Sequence, residues 1–265
     1  AFPGVFVSVS SDVQPEFREY ERFSTTVINA FLQPEVSRYM DKLSRALGNV
    51  APNAKLGIFQ SSGGLMSVGK ATEFPVRTAL SGPAAGAVGA AAAGAASGIS
   101  DIVTLDMGGT STDVCLIRNG KTEIANMRDI AGFRIRLPMV DIHTVGAGGG
   151  SIAHIGTDGL MKVGPESAGA SPGPVCYDAG GENPTITDAN IILGYLNPNH
   201  LVGGAVKLNK EKAANVFKEK IAEPLGLSLE EAAYGAHLIS ASNMIRAIKA
   251  VSTERGRNPQ NYSLF

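Results

Sequence analysis

The sequence contains no tryptophan, has only two cysteines among its 265 residues and carries a formal net charge of −1. The two cysteines, Cys115 and Cys176, show no pairing pattern, which argues against a disulfide scaffold and for a reducing compartment, most simply the cytoplasm. Acidic and basic residues nearly balance and form no long run of either sign. The composition therefore predicts neither a nucleic-acid partner nor a membrane-surface partner.

Neither a secretion signal nor a membrane helix is predicted. Residues 1–9 lack the basic start and the extended apolar core of a signal peptide. The longest stretch of low charge, Thr78–Ser100, is rich in glycine and alanine and contains Pro83, which makes it a poor membrane helix. The apolar share of 44% is ordinary for a globular chain, and the length suits one large domain or two small ones.

The most informative stretch is Ile102–Ile117, which reads IVTLDMGGTSTDVCLI. Its first apolar run predicts a buried strand that ends at Asp106. Gly108 and Gly109 follow, where the missing Cβ lets backbone N–H groups approach a ligand closely. The turn continues with three hydroxyl residues, Thr110, Ser111 and Thr112. Asp113 then begins a second apolar run, so the pattern predicts a glycine turn between two strands.

A turn of this kind can wrap the terminal phosphates of a nucleotide, because its backbone N–H groups form an anion-binding concavity. The two acids, Asp106 and Asp113, would hold Mg²⁺ through water or orient an attacking water. The alternative is a tight β-turn with solvated acids at its ends. Two acids that flank Gly-Gly and three hydroxyls favour phosphate binding.

The segment LDMGGTSTDV resembles a phosphate motif of the actin/Hsp70/sugar-kinase ATPase superfamily, D-x-G-[GT]-x-x-x-D at the tip of a β-hairpin. Five segments in order together resemble one branch, the hydantoinase A/5-oxoprolinase family, which includes the acetone carboxylase β subunit. They are SGPAAGAVGA (Ser81–Ala90), LDMGGTSTDV (Leu105–Val114), VDIHTVGAGGGSIA (Val140–Ala153), GPESAGASPGPVCY (Gly164–Tyr177) and TDANIILGYLNP (Thr187–Pro198). The resemblance covers nearly the whole chain.

The resemblance implies an α/β chain with the actin/Hsp70/sugar-kinase-like ATPase fold, built from ribonuclease H-like lobes. Residues 1–97 would form the end of the first lobe. They would include Ala84–Ala96, the helix that crosses between the lobes. Residues 98–265 would form the second lobe, with a Gly/Pro-rich insertion and a truncated C-terminus. The sequence lacks the family's earlier copy of the phosphate motif and its later adenosine motif. We therefore expect an incomplete fold, an internal piece of a larger ATPase.

A second candidate site lies around Asp141 and His143. The two residues are two apart on a predicted strand, Arg134–Val145, so their side chains would face the same way. Together with Cys176 they could bind a second divalent metal, or the acid and imidazole could move a proton. Cys176 could also be a nucleophile. The alternatives are a hydrogen-bonded structural pair and an inert thiol.

A glycine run, Gly146–Gly150, follows this predicted strand. Its backbone N–H groups, including those of Gly148 and Gly149, would hold a phosphate or a carbonyl oxyanion. The alternative is a flexible hinge.

Local patterns predict the remaining elements. Strands are predicted over Phe2–Val9, Ala54–Gln60, Lys121–Met127 and Asn261–Phe265. Helices are predicted over Pro15–Phe23, Pro34–Leu47, Ala84–Ala96, Ala189–Leu196, Leu208–Ile221 (on the surface) and Ser228–Val251. Asn119–Gly120 predicts a hairpin, Thr25–Phe31 is ambiguous, and Lys162–Pro184 is predicted to be a long irregular loop.

The resemblance implies an ATP-dependent enzyme that phosphorylates a carbonyl oxygen of a cyclic amide or a ketone, for hydrolysis or carboxylation. Its cofactors would be ATP and Mg²⁺, and its partner a hydantoinase B-type subunit or fused domain. Asp106 and Asp113 would be catalytic. The nucleotide would contact Gly108, Gly109, Thr110, Ser111, Thr112, Gly148 and Gly149. Alternatives are a nucleotide-gated binding or regulatory module and a scaffold for a partner subunit. The chain alone would have little or no activity.

Overall fold

A computed structural model describes residues 4–199 and 207–265, a mixture of helices and short strands. The helices are α1 (Ser10–Val13), α2 (Glu19–Val50), α3 (Val68–Glu73), α4 (Ser81–Ala96), α5 (Ile186–Ile192), α6 (Lys210–Phe217), α7 (Glu223–Leu225) and α8 (Leu229–Val251). The strands are β1 (Gly57–Phe59), β2 (Leu65–Ser67), β3 (Ile102–Met107), β4 (Thr112–Arg118), β5 (Lys121–Thr122), β6 (Ile124–Ala125), β7 (Arg128–Ile130), β8 (Phe133–Ile135), β9 (Met139–Val140), β10 (Ile142–Val145), β11 (Ser151–Ile155), β12 (Met161–Ser167) and β13 (Ser263–Leu264).

The largest sheet has the strand order β10-β4-β3-β13, with β5 paired to β4. Apolar side chains of β3 and β4, such as Ile102 and Leu116, are buried, as expected from their apolar runs. Asn119 and Gly120 both have positive φ, 51° and 71°, the conformation of a type I′ hairpin turn between β4 and β5. The chain's last strand, β13, runs parallel to β3, with Ser263 opposite Ile102. These strands and the hairpin confirm the sequence predictions, although the strand predicted over residues 121–127 is divided into β5 and β6.

The chain divides into two compact units. The first comprises residues 1–104, 115–142 and 263–265, and the second comprises residues 105–114 and 143–262. The boundary expected at Ser97–Gly98 concerns the lobes of a whole ATPase fold and stays a prediction. Within the described part of the chain, every helix is too short or too polar to cross a bilayer.

Helix α2 dominates the first unit and is longer than predicted. It runs without interruption through the ambiguous stretch 25–31 and through Pro34. The side-chain amides of Asn29 and Gln33 donate to the carbonyl of Glu73, and the Asn29 oxygen accepts from the Val76 N–H. These tertiary bonds fix the helix where local propensity is weak.

Two other predictions for the first unit are wrong. Residues 5–9 form no strand, and Val5, Phe6 and Val7 are exposed, while the start of that predicted strand lies outside the described residues. The single strand predicted over residues 134–145 is divided among β8, β9 and β10. Helix α4, by contrast, confirms the predicted small-residue helix.

The second unit is built around the β11–β12 hairpin and helices α5, α6 and α8. Its core contains Phe217 and Ile221, both fully buried, so the predicted surface helix at residues 208–221 is a core-facing element. That helix ends as α6 at Phe217 and continues as a π-helical segment. Strand β12 occupies the start of the predicted irregular loop. Helix α5 begins at Ile186, earlier than predicted, and Thr185 caps it in a capping box with Asp188.

Helix α8 begins as its sequence predicts. Ser228 caps it and accepts from the Glu231 N–H at 3.2 Å, while the Glu231 carboxylate accepts from the Ser228 N–H at 2.9 Å. This backbone hydrogen bond, together with one from the Ser228 hydroxyl, lowers the pKa of Glu231 below its ordinary value of 4.5. The capping box therefore stabilises the ionised form of Glu231.

This capping box predicts a pH-dependent contribution to stability. A lowered folded-state pKa stabilises the fold above the unfolded-state pKa, and the contribution is lost as the pH falls through the folded-state value. We expect the native chain to exceed Glu231→Gln in free energy of unfolding at pH 7, and the difference to shrink below about pH 4.5. Urea unfolding at a series of pH values measures it. Glu230→Gln is the control, because it removes another negative charge from the first turn of α8 without touching the capping box. The prediction would be contradicted if the difference in free energy of unfolding between the native chain and Glu231→Gln stayed constant down to about pH 3.

Candidate functional site

An exposed glycine loop joins β3 to β4. It is held in a tight turn by a hydrogen bond from the Gly108 N–H to the Ser111 carbonyl, at 2.8 Å. Gly109 and Thr110 are exposed and Ser111 is half-buried. The backbone N–H groups of these three residues donate to no other described residue. The loop therefore presents free backbone donors at its surface, as an anion-binding concavity does.

Two carboxylates flank this loop. Asp106 lies near the end of β3 and is exposed. Asp113 is the second residue of β4 and is half-buried, and its Oδ1 accepts a hydrogen bond from the Thr144 hydroxyl at 2.5 Å. Thr144 lies on β10, which pairs with β4 in the sheet. The loop donors thus stand between two acids, and carboxylate oxygens are the ligands that Mg²⁺ prefers.

The glycine run that follows β10 is hydrogen-bonded to the backbone carbonyls of this loop. The Gly149 N–H donates to the Gly108 carbonyl at 3.0 Å, and the Gly150 N–H donates to the Gly109 carbonyl at 2.6 Å. The Gly148 N–H donates to the Ser151 hydroxyl at 2.8 Å. These N–H groups are therefore engaged within the chain, and the prediction that the N–H groups of Gly148 and Gly149 bind a phosphate is wrong.

The run can lie this close to the loop only because Gly148 has no side chain. A Cβ at Gly148 would lie 2.7 Å from the carbonyl carbon of Thr110 and 2.8 Å from the Gly108 oxygen, closer than real Cβ contacts. On the other side, the Thr187 hydroxyl and N–H both donate to the Gly149 carbonyl at 2.8 Å. The run is thus packed between the loop and the first turn of α5, which argues against the hinge alternative.

The hydroxyl residues of the loop have different surroundings. Those of Thr110 and Ser111 bond to no other described residue. Thr112 is fully buried, and its hydroxyl donates to the carbonyl of Ala147, the residue before Gly148. Thr112 therefore joins the loop to the glycine run, which corrects its predicted contact with the nucleotide through its hydroxyl.

Asp141 and His143 have different surroundings in the structure. Asp141 lies between β9 and β10, and its carboxylate pairs with the Arg128 guanidinium at 3.1 Å, with both side chains 18% exposed. His143 lies on β10 and is exposed. The arginine offers Asp141 a charged partner that the local spacing does not reveal.

Cys176 is fully buried in a short helical turn, Val175–Tyr177. Burial, and then the neighbouring Asp188 carboxylate, raise the pKa of its thiol well above the ordinary value, so the thiolate that binds metals is disfavoured. Among residues 4–199 and 207–265, no group of three or more His, Cys, Asp or Glu side chains could hold a metal ion. The predicted second metal site at Asp141, His143 and Cys176 therefore finds no support.

Asp188 organises this region through its side-chain carboxylate. It is fully buried, and its carboxylate accepts four hydrogen bonds. The donors are the N–H groups of Val175 (3.2 Å), Cys176 (2.7 Å) and Thr185 (2.8 Å) and the Thr185 hydroxyl (2.8 Å). The Thr-x-x-Asp spacing at residues 185–188 is the sequence signal for this capping box. The same carboxylate anchors the irregular loop to α5.

A family model described as "Hydantoinase/oxoprolinase" matches residues 22–265. Caprolactamase subunit alpha from Pseudomonas jessenii is 43% identical over 265 residues, which is 100% of this chain and 38% of the relative. The chain thus spans about two fifths of that relative's length.

Two solved structures match the chain closely. A nucleotide-free acetone carboxylase, from work on ATP-dependent acetone carboxylation, matches 97% of this chain and 36% of its own, with a TM-score of 0.86 and 35% identity. The ATP-dependent caprolactamase from Pseudomonas jessenii matches 99% of this chain and 38% of its own, with a TM-score of 0.83 and 43% identity. These matches confirm the α/β, actin-like ATPase fold class. The chain belongs to the hydantoinase/oxoprolinase family.

Proposed function

We propose that the loop at residues 108–111 binds the terminal phosphates of ATP. The observation that carries this proposal is the set of three backbone N–H groups, on Gly109, Thr110 and Ser111, that have no acceptor among the described residues. Preorganised N–H donors of this kind stabilise phosphate charge without reorganising during the reaction. Gly108 shapes the turn with its own N–H, so its part is to let the ligand approach the backbone.

The chemistry of the donor set fits a nucleotide with Mg²⁺. Asp106 and Asp113 would hold the cation through water, and the hydroxyls of Thr110 and Ser111 would add neutral donors to phosphate oxygens. The Thr144 hydroxyl would keep one Asp113 oxygen in place. When bound, ATP supplies the phosphoryl group that turns a carbonyl oxygen into a good leaving group.

For the whole protein we propose ATP-dependent opening of a cyclic amide, with a B-type subunit or fused domain as partner. The greater identity to the caprolactamase subunit, 43% against 35% for the acetone carboxylase, supports a ring amide over a ketone. The chain spans only about two fifths of the caprolactamase subunit. We therefore expect the remaining length and the partner to determine which cyclic amide is opened.

The test is ATP hydrolysis by the whole protein with its partner, in the presence of caprolactam, hydantoin, 5-oxoproline, acetone with bicarbonate, or no substrate. We expect one cyclic amide to stimulate turnover, and Asp113→Asn to reduce stimulated turnover about 100-fold or more, because the carboxylate that would hold Mg²⁺ through water is removed. Asp158→Asn is the matched control, since Asp158 is an exposed acid of the same unit that pairs with Lys162.

The outcomes separate the alternatives. Unchanged turnover in Asp113→Asn would contradict the assignment of the phosphate site. Turnover indifferent to all the small molecules would contradict the enzyme proposal and favour the nucleotide-gated regulatory module. Stimulation by acetone with bicarbonate alone would contradict the choice of a cyclic amide.

A further inference from the structure

The first unit contains a cavity of about 330 Å³ that the proposed function does not use. It lies among the segment after α1, the turn between β1 and β2, the turn at Pro75–Thr78 and the segment before β9. The volume is at the small end of the range for sites that bind small molecules. Val13 and Leu137, both buried, form part of its apolar wall.

Some of the polar side chains that line the cavity make no hydrogen bond within the described part of the chain, whereas the Ser61 hydroxyl donates to two backbone carbonyls. Gln14 is only 4% exposed, and its side-chain amide makes no hydrogen bond with any described residue. The side chains of Gln60 and Ser62 also line the cavity and make no hydrogen bond within the described part of the chain. Gln60 and Ser62 are half-buried, so Gln14 is the decisive group. Amides of buried residues are normally paired, and the Gln14 amide faces the cavity without a partner in the described chain, which indicates a ligand with its own donors and acceptors.

The charge of the cavity is unbalanced. Arg77 lines it, and its guanidinium lies over the Phe74 ring at 4.5 Å without an ion pair to any residue in the described ranges. Glu16, which also lines the cavity, is already paired with Arg136 at 2.7 Å. Within the described residues the positive charge of Arg77 therefore has no carboxylate partner, and a planar guanidinium is suited to a carboxylate.

We propose that this cavity binds a small carboxylate that carries an amide group. Arg77 holds the carboxylate, and Gln14, with its donor and its acceptor, pairs with the ligand's amide. Val13 and Leu137 enclose the carbon atoms between the two groups. A neutral amide leaves Arg77 without a counter-charge, and a plain fatty acid leaves Gln14 without a partner, so both bind more weakly.

This proposal does not depend on ATP binding. The cavity belongs to the first unit, whereas the phosphate loop belongs to the second. Binding can therefore be measured without nucleotide, and failure of one proposal leaves the other intact.

The test is calorimetric titration of the whole protein with three matched probes. N-acetylglycine carries both groups, N-acetylglycinamide lacks the charge, and pentanoate lacks the amide. We expect N-acetylglycine to bind at least tenfold more tightly than either of the others. Equal binding of N-acetylglycine and N-acetylglycinamide, or no binding of N-acetylglycine, would overturn the proposal.

Two variants test which side chain binds the carboxylate of the ligand and which binds its amide. Arg77→Met keeps most of the aliphatic stem on Phe74, and we expect it to weaken N-acetylglycine binding at least tenfold while N-acetylglycinamide is unaffected. Gln14→Leu removes an unpaired buried amide, so we expect it to weaken binding without lowering the melting temperature. Arg38→Met, at an exposed position of α2, is the control. If both variants keep their melting temperature and bind N-acetylglycine as tightly as the native protein, the cavity is not the site.

Discussion

Gly148→Ala is expected to abolish ATP turnover by the whole protein, lowering it at least 100-fold. The new Cβ would meet the backbone of the glycine loop at residues 108–111, at 2.7 Å from the Thr110 carbonyl carbon and 2.8 Å from the Gly108 oxygen. Backbone cannot rotate away as a side chain can, so the loop or the glycine run must shift, at a stability cost of about 1–3 kcal/mol. The shift moves the N–H groups of the loop away from the phosphate oxygens that we propose they bind, and each lost donor costs roughly 10²–10³ in rate.

The neighbouring glycines give a graded comparison. Gly150→Ala would meet the Gly109 oxygen at 2.9 Å and should also be harmful, whereas the obstacle for Gly149→Ala is the Thr187 hydroxyl at 2.8 Å, which can rotate. Gly89→Ala in α4 meets nothing within 4 Å and is the control, expected to keep full turnover and to gain up to about 1 kcal/mol in helix stability. Turnover of Gly148→Ala within threefold of the native value would refute this expectation.

Features set by neighbouring residues could be predicted from the sequence. The Asn119–Gly120 hairpin needs only two residues that accept positive φ, and the start of α8 needs only the Ser228–Glu231 spacing. The two strands around the glycine loop follow in the same way from short apolar runs. In each case the residues that interact lie within a few positions of one another, so the local sequence is enough to predict the structure.

Features that join distant residues could not be predicted in this way. The Gly146–Gly150 run has the composition of a phosphate loop, but its N–H groups are engaged by the carbonyls of Gly108 and Gly109, about forty residues earlier. Asn29 fixes α2 through Glu73, 44 residues away. Arg128 forms an ion pair with Asp141, whose carboxylate was expected to bind a metal. In each case the partner lies at least 13 residues away in the sequence, so the spacing of neighbouring residues does not reveal it.

The irregular loop at residues 168–184 depends on a single buried carboxylate, which leads to the second large effect. Asp188→Asn replaces one acceptor oxygen by an NH₂ group and removes the charge, so buried N–H donors of Val175, Cys176 and Thr185 lose or weaken their bonds. Leaving such donors unpaired costs about 3–5 kcal/mol. We expect this cost to appear as local opening of the loop, because the β11–β12 hairpin and α8 have their own core.

Cys176 reports this opening. In the native protein its thiol is fully buried and its raised pKa disfavours the thiolate, so alkylation by iodoacetamide requires opening of the loop. A loss of about 3 kcal/mol or more in local stability increases the open population, and hence the alkylation rate, about 100-fold or more. Mass spectrometry resolves Cys176 from Cys115, which is buried on β4 and serves as an internal control.

Asp178→Asn is the matched control for this experiment. Asp178 lies in the same loop, but its carboxylate is exposed and pairs with Lys212 at 2.6 Å, and exposed ion pairs contribute little to stability. We expect its Cys176 alkylation rate to stay within about fivefold of the native rate, because an exposed ion pair shifts the opening equilibrium only slightly. Equal alkylation rates in Asp188→Asn and Asp178→Asn would mean that the loop is held by its packing. A rise in Cys115 alkylation together with Cys176 would mean that the Asp188 carboxylate supports the whole chain.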